Sequence, residues 1–253
     1  MDLSTGETIG AILPGLATGL GGVALLGFRR DPDERTLDAI TGLTAGIMLA
    51  AAIFSLLVPS LAEGSLGEVV VGFVAGVATL AVVDELVPHI HARFSEPGHP
   101  DDPGAPLQRR AILMLSALTI HNIPEGMAVG LAFAAGGPEI GVPTAVAIGV
   151  QNIPEGFAAA VPLVQAGASR RRALAFSFAT GAVEPPAALL AAAAVGIAGA
   201  LLAGGLAFAA GAMIYVVIDE LVPESYGHGN ERVATLGFTT GFVIMLVLDN
   251  ALG

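Results

Sequence analysis

Eight long apolar runs determine what this chain can fold into. Each is close to or longer than the ~20 residues that a helix needs to cross the hydrocarbon core of a bilayer. Only 13% of the 253 residues are charged, whereas soluble proteins carry about 25%. The sequence therefore predicts an all-α integral membrane protein, a single domain over residues 1–253 with eight transmembrane helices. These spans one to eight are Ile9–Phe28, Ala39–Ala62, Gly67–Val87, Ala111–Gly136, Ile140–Ala166, Ala173–Ile197, Leu201–Val222 and Val233–Leu252.

Charge and residue content exclude several classes of function. The formal net charge is −12, and nucleic-acid binding requires clustered Lys or Arg to contact phosphates. The chain contains no Cys, which excludes disulfides, thiolate metal sites, iron–sulfur clusters and thiol catalysis. Any metal must therefore be held by His, carboxylate, amide or backbone groups.

The basic residues indicate which way the spans run. All ten are Arg, and they lie in the loops that follow spans one, three, five and seven. The positive-inside rule makes these loops cytoplasmic, including the His- and Pro-containing loop at residues 90–109. Both termini are then extracytoplasmic, which requires an even number of spans.

The chain also resembles itself at an offset of 165 residues, which aligns spans two and three with spans seven and eight. Because the two sets of spans start on opposite sides, this predicts an inverted repeat of spans 1–3 and 6–8 around spans 4–5, as is typical of transporters. Chance similarity among small residues is the alternative. The matched pairs are Ala45 with Ala210, Gly46 with Gly211, Met48 with Met213, Gly72 with Gly237, Phe73 with Phe238, Gly76 with Gly241, Val82 with Val247 and Asp84 with Asp249.

A hexapeptide in span four, His121-Asn-Ile-Pro-Glu125-Gly, recurs 30 residues later in span five as Gln151-Asn-Ile-Pro-Glu155-Gly. Residues i and i+4 share a helix face, so His121 points together with Glu125, and Gln151 with Glu155. Two antiparallel helices can thus close four ligands around one ion. Polar side chains at membrane depth are costly and usually functional.

Three further polar residues extend this site. Asn122 and Asn152 are rotated about 100° from their neighbours on the helix and face an adjacent volume where a second ion fits. Glu184 stands before Pro185 and Pro186, which break span six, and we expect it to contribute from a third helix. No span contains Lys or Arg, so the expected partner of these carboxylates is a divalent ion such as Zn(II), Fe(II) or Mn(II). The alternative is a pair of Pro-kinked helices with protonated Glu.

A second polar cluster is predicted at the cytoplasmic end of the spans. Asp84, His89 and His91 lie at the end of span three, and Asp219 and Glu220 near the end of span seven. Carboxylates and imidazoles at this place can form an exit path for a metal ion. The alternative is that they merely cap the spans at the membrane interface.

With these motifs, above all the paired hexapeptides, nearly the whole chain resembles the ZIP family of zinc/iron-regulated metal transporters. The resemblance implies two metal positions, bridged by Glu155, and a cytoplasmic release path. The first position would be held by His121, Glu125, Gln151 and Glu155. The second would be held by Asn122, Asn152 and Glu184. The release path would be lined by Asp84, His89, His91, Asp219 and Glu220.

The same resemblance implies how the protein works. It predicts a homodimer in the inner (plasma) membrane, surrounded by lipid, that moves divalent metal into the cytoplasm. Zinc is the first expected substrate, with iron, manganese or cadmium as others, and no organic cofactor is expected. Spans one, four, five and six would slide as a bundle against the rest.

An intramembrane metal-dependent hydrolase is the competing hypothesis, because His and Glu at i and i+4 can hold a hydrolytic metal with an open position. A metal-gated receptor or channel is another, but it is expected to carry a sizeable soluble output domain. The chain lacks the HExxH motif, and its two half-sites are near copies. Symmetry of this kind favours a transporter over an enzyme.

Overall fold

The computed structural model describes residues 4–27, 32–86, 107–165 and 167–252, and all regular structure among them is helical. The first helices are α1 (Thr5–Leu26), α2 (Glu34–Ala51), a first π-helical turn (Ala52–Leu57), α3 (Val58–Glu63) and α4 (Leu66–Leu86). The middle of the chain forms α5 (Leu107–Gly136), α6 (Pro138–Gln165), α7 (Arg170–Gly181) and α8 (Glu184–Ile197). The last elements are α9 (Leu201–Val216), a second π-helical turn (Val217–Leu221), α10 (Val222–Ser225) and α11 (Glu231–Leu252). The all-α prediction is confirmed.

Six helical stretches within the described ranges are long and apolar enough to cross a membrane, as a multi-pass membrane protein requires. Helices α5 and α6 are 30 and 28 residues long but are not among them. Each contains a polar hexapeptide, which lowers the mean hydropathy of the middle of the helix. The six stretches are Thr5–Leu26, Glu34–Glu63, Leu66–Glu85, Arg170–Gly196, Leu201–Ser225 and Glu231–Leu252.

The predicted sixth span is two helices, because α7 ends before a short turn and α8 starts at Glu184. Pro185 and Pro186 occupy the start of α8, where a residue without an N–H loses no intrahelical hydrogen bond. By contrast, α5 continues through Pro124, and α6 continues through Pro154. The break brings a carboxylate to a helix start in the interior, while both hexapeptides stay helical.

Close backbone contacts at glycine divide the helices into two groups. The first group, here the site bundle, contains α1, α5, α6, α7 and α8. A Cβ atom placed on Gly156 of α6 would lie 1.9 Å from the carbonyl oxygen of Thr18 in α1. A Cβ on Gly130 of α5 would lie 2.0 Å from the carbonyl oxygen of Ala188 in α8. Only a residue without a side chain permits such approaches.

The second group, here the support bundle, contains α2, α3, α4, α9, α10 and α11 with both π-helical turns. A Cβ on Gly76 of α4 would lie 2.0 Å from the carbonyl oxygen of Phe208 in α9. A Cβ on Gly46 of α2 would lie at the same distance from the carbonyl oxygen of Phe238 in α11. The described glycines give no comparable backbone contact between bundles. There, apolar side chains such as Leu131 against α9 complete a common core.

Backbone contacts at glycine predict different effects for two Gly→Ala substitutions in the support bundle. Gly76→Ala should lower the melting temperature or prevent folding, because overpacking costs about 1–3 kcal/mol. Gly204→Ala in α9 should leave stability unchanged or raise it, because nothing lies within 4 Å of the added methyl and Ala is a better helix former than Gly. Thermal unfolding of both variants in detergent, followed by circular dichroism, is the measurement. Equal stability of the two would contradict the backbone packing described.

Candidate metal centre

The structure buries the seven side chains predicted to hold metal, none of them more than 6% exposed. Three come from α5, three from α6, and one is the first residue of α8. Close packing of α5 against α6 and α8 brings the three elements together, as the spacing of the motifs predicts. These residues are His121, Asn122, Glu125, Gln151, Asn152, Glu155 and Glu184.

Hydrogen bonds connect the side chains across helices. The Gln151 amide in α6 donates from Nε2 to Oε1 of Glu125 in α5. The Asn152 amide donates from Nδ2 to both carboxylate oxygens of Glu184, at 2.8 and 2.9 Å. The hexapeptides are therefore neighbours, and Glu184 adjoins the second of them, as expected from the broken span.

Helix α1 also contributes to this site, which the sequence reasoning missed. The Thr18 hydroxyl donates to Oε1 of Glu184 at 3.2 Å, and the Pro14 carbonyl accepts from Nδ2 of Asn152 at 3.0 Å. A signal was present in the sequence, because Pro14 and Thr18 are four residues apart and share one face of the otherwise apolar run Ile9–Phe28. Taken alone, however, a threonine in an apolar run is an ordinary helix residue.

Five buried oxygen atoms of this site have no hydrogen-bond partner among the residues that the structure describes. Leaving such acceptors unpaired is unfavourable, so an unexplained group of them indicates a missing partner. The Nδ2 atom of Asn122 is also unpaired, but the other atoms are all acceptors. A cation satisfies such a set. The oxygens are Oδ1 of Asn122, Oε2 of Glu125, Oε1 of Gln151, Oδ1 of Asn152 and Oε2 of Glu155.

Acidic and imidazole side chains alone do not complete an ion site in this arrangement. Among the described residues, no group of three His, Asp or Glu side chains is placed to hold a metal. The reason lies partly in His121, whose Nε2 atom is 2.9 Å from Oε1 of Glu220. The Glu184 carboxylate already accepts hydrogen bonds from the Thr18 hydroxyl and the Asn152 amide. Amide oxygens must therefore supply part of any coordination shell, and metal binding at His121 would replace its contact with Glu220.

The second predicted cluster is described in part. Glu220 lies in the second π-helical turn, is 7% exposed and contacts His121. Asp84 at the end of α4 accepts a hydrogen bond from the Tyr215 hydroxyl of α9 at 3.3 Å, and Asp219 is half-buried. His89 and His91 lie outside the described residues, as does most of the loop at 90–109. The structure thus joins one member of this cluster, Glu220, directly to the hexapeptide of α5.

Comparison with known proteins identifies the family. The model of the ZIP zinc transporter family matches residues 95–249. The chain belongs to the ZIP family. The zinc transporter GufA of Myxococcus xanthus is 41% identical over 97% of this chain and 98% of its own. ZIPB of Bordetella bronchiseptica is 39% identical over 94% and 78%, respectively, and human ZIP11 is 33% identical over 92% and 93%.

Membership of the ZIP family confirms the resemblance drawn from the two hexapeptides. The family match includes both of them together with Glu184, and the similarity to GufA extends over most of the chain, α1 included. The family and these relatives are named as transporters. This confirms the prediction of a transporter rather than an enzyme.

The unpaired oxygens predict that a divalent metal stabilises the folded protein. Zinc that binds the folded state but not the unfolded state should raise the melting temperature. At a free zinc concentration of about 100 times the Kd, the free energy of unfolding should increase by about 2.7 kcal/mol. In the double variant Glu125→Gln, Glu155→Gln this increase should be lost, because two anionic ligands become neutral. Differential scanning fluorimetry with and without zinc is the measurement.

Glu231→Gln is the matched control, since Glu231 is exposed at the start of α11. It should keep the whole zinc-dependent increase in melting temperature. If the double variant kept the same increase as the control, the buried carboxylates would not be metal ligands.

Proposed function

We propose that this ZIP-family protein moves divalent transition metal ions, zinc above all, across the inner (plasma) membrane into the cytoplasm. The observation that carries the proposal is the set of five buried, unpaired oxygens on α5 and α6. They belong to a bundle whose interior also contains three buried carboxylates, of Glu125, Glu155 and Glu184. Zinc is favoured because the relatives GufA, ZIPB and ZIP11 are named as zinc transporters.

The proposal includes two metal positions. Two separate sets of hydrogen bonds support this division, because Gln151 bonds to Glu125 while Asn152 bonds to Glu184. We assign the first position to His121, Glu125, Gln151 and Glu155. We assign the second position to Asn122, Asn152 and Glu184, with Glu155 bridging the two. Release to the cytoplasm would follow Glu220, Asp219, Asp84, His89 and His91.

The topology in this proposal has eight spans with both termini extracytoplasmic. At 1.5 Å per residue, α5 and α6 with 30 and 28 residues are long enough for a core of ~30 Å, and they add two crossings to the six apolar stretches. Arginines at the starts of α2, α7 and α11 support the orientation, since these three helices would begin on the cytoplasmic side. The arginines are Arg35, Arg170, Arg171, Arg172 and Arg232.

We further propose that the support bundle and α1, α7 and α8 form the inverted repeat. Contacts at equivalent positions support this. A Cβ on Gly46 would lie 2.0 Å from the Phe238 carbonyl oxygen, and a Cβ on Gly211 would lie 2.2 Å from the Phe73 carbonyl oxygen. Gly211 lies 165 residues after Gly46, and Phe238 lies 165 residues after Phe73. The same contact therefore occurs in both halves of the proposed repeat. The two π-helical turns, starting at 52 and 217, have the same offset.

Transport in this proposal is a sliding of the site bundle against the support bundle. Backbone contacts at glycine support it, because they hold the helices of each bundle together, whereas apolar side chains fill the boundary between bundles. The hydrogen bond between His121 and Glu220 crosses that boundary. A metal that replaced this contact would loosen a polar connection between the bundles.

Apolar side chains on α4 and α11 face outward, as contact with lipid requires. Val71 is 70% exposed, Leu236 is 68% exposed and Val247 is 62% exposed. The proposed homodimer would cover part of the same outer surface, with the remainder in contact with acyl chains.

Substitution of Glu155 and Asn152 tests the transport function. Glu155→Ala removes an anion shared by both metal positions and should abolish zinc uptake, whereas Asn152→Ala removes a neutral ligand from one position and should reduce it. Glu155→Asp shortens the reach by one methylene and should keep partial uptake. Radiolabelled zinc uptake into proteoliposomes, normalised to reconstituted protein, is the measurement. Glu231→Ala is the control and should keep wild-type uptake. If Glu155→Ala took up zinc at the same rate as this control, the metal site would be refuted, and with it the transporter mechanism.

Cysteine labelling tests the orientation, since the chain has no Cys of its own. Gly199 between α8 and α9 and Gly227 between α10 and α11 are both exposed. A membrane-impermeant thiol reagent should label Gly199→Cys in intact cells, and should label Gly227→Cys after permeabilisation alone. The opposite pattern would reverse the proposed topology and the direction of transport that depends on it.

A further inference from the structure

Helix α1 is fixed against the metal-binding part of α6 by backbone contacts. A Cβ on Gly156, which follows Glu155, would lie 1.9 Å from the carbonyl oxygen of Thr18. A Cβ on Gly21 of α1 would lie 2.1 Å from the carbonyl oxygen of Ile153. The two helices therefore touch at Thr18 and again at Gly21, with no side chain between their backbones, and α1 has little freedom to move relative to the site.

The contacts of α1 determine how the Asn152 amide is oriented. Its Nδ2 atom donates to the Pro14 carbonyl at 3.0 Å and to the Glu184 carboxylate at 2.8 and 2.9 Å. A backbone carbonyl can only accept, so the amide nitrogen must face Pro14. The Oδ1 atom is consequently turned away from both and is left buried without a partner. Asn152 thus offers an oxygen, not an N–H group, to an ion.

The Thr18 hydroxyl completes this arrangement. It donates to Oε1 of Glu184 at 3.2 Å, which is one of the two oxygens that accept from Asn152. Both Thr18 and Glu184 are buried, at 2% and 1% exposed, so water cannot replace the hydroxyl without rearrangement. Without this donor, the carboxylate loses one of the groups that fix its position, and the Asn152 amide loses a fixed acceptor.

We propose that Thr18 is a positioning residue of the metal site: through Glu184 it fixes the Asn152 oxygen, and so sets the affinity and the metal preference of the second position. The inference rests on the proposed transport function. Amide and carboxylate oxygens are hard ligands, and a change in how many of them reach the ion shifts the balance between zinc and the softer cadmium. Thr18 itself contacts Glu184, and we do not assign it as a ligand.

The test compares three substitutions in the purified full-length protein. Thr18→Val keeps the size of the side chain and removes the hydroxyl, while Thr18→Ser keeps the hydroxyl. Thr44→Val is the matched control, since Thr44 is 1% exposed and its hydroxyl donates to the Ile40 carbonyl of its own helix at 2.9 Å. Isothermal titration calorimetry with zinc and with cadmium gives the affinities and their ratio, and thermal unfolding gives the stability of each variant.

We expect Thr18→Val to bind zinc about tenfold more weakly, as the loss of a hydrogen bond to a charged group implies, with a changed ratio of zinc to cadmium affinity. Thr18→Ser and Thr44→Val should match the wild type in both quantities. Where Thr18→Val does not fold, Thr18→Ala, which removes the hydroxyl from a smaller side chain, is measured in its place.

Two results would overturn the inference alone. One is that the variant without the hydroxyl binds both metals as the wild type does. The other is that this variant loses affinity equally for both metals and melts at a lower temperature, while Thr18→Ser does not keep the wild-type affinity. That result would indicate a merely structural role. Absence of zinc binding in the wild type would refute the proposed function itself.

Discussion

Buried carboxylates without a cationic side chain are the constraint on which the rest of this molecule depends. Glu125, Glu155 and Glu184 are at most 5% exposed, while all ten basic residues lie outside the eight apolar runs. An unpaired charge in such surroundings costs many kcal/mol. A metal ion that enters from outside removes that cost. In the proposed site the amides of the hexapeptides supply further oxygens, so the side chains that would destabilise an inert helix bundle would be the ones that bind the metal.

Helix packing then decides how such a site is held. In lipid, helices associate through close packing, because burial of apolar surface there gives little free energy. The glycines concentrate the closest contacts within the site bundle and within the support bundle. Direct backbone contact fixes α1 to α6 at Thr18 and Gly156, and this rigidity would position the proposed ligands on different helices. The boundary between the bundles is filled by side chains, which is the kind of interface that a sliding motion needs.

Much of the fold and of the site could be predicted from the sequence. Apolar length predicted most of the long helices, and His121 and Glu125, which the spacing predicted to share a helix, both lie on α5. Helix starts were less accurate: α1 begins at Thr5 rather than Ile9, because Ser4 and Glu7 form a capping box that apolar content does not reveal. The π-helical turns were also missed, since one extra residue per turn leaves no mark on a run of apolar side chains.

Contacts between distant parts of the chain were the main omission. Thr18 and Pro14 reach the site because α1 approaches α6 at a distance that only the folded backbone defines. The contact of His121 with Glu220 joins two clusters that the sequence had assigned to different stages of transport. Local spacing predicts which side chains share a helix face, but it does not determine which face of which other helix they meet.

The most direct test of the account is to locate the metal by anomalous X-ray diffraction at the zinc edge, using crystals of the zinc-loaded protein. We expect an anomalous peak between α5 and α6, within bonding distance of the carboxylates of Glu125 and Glu155. Zinc bound in stoichiometric amount, with peaks only at surface residues and none between these helices, would contradict it.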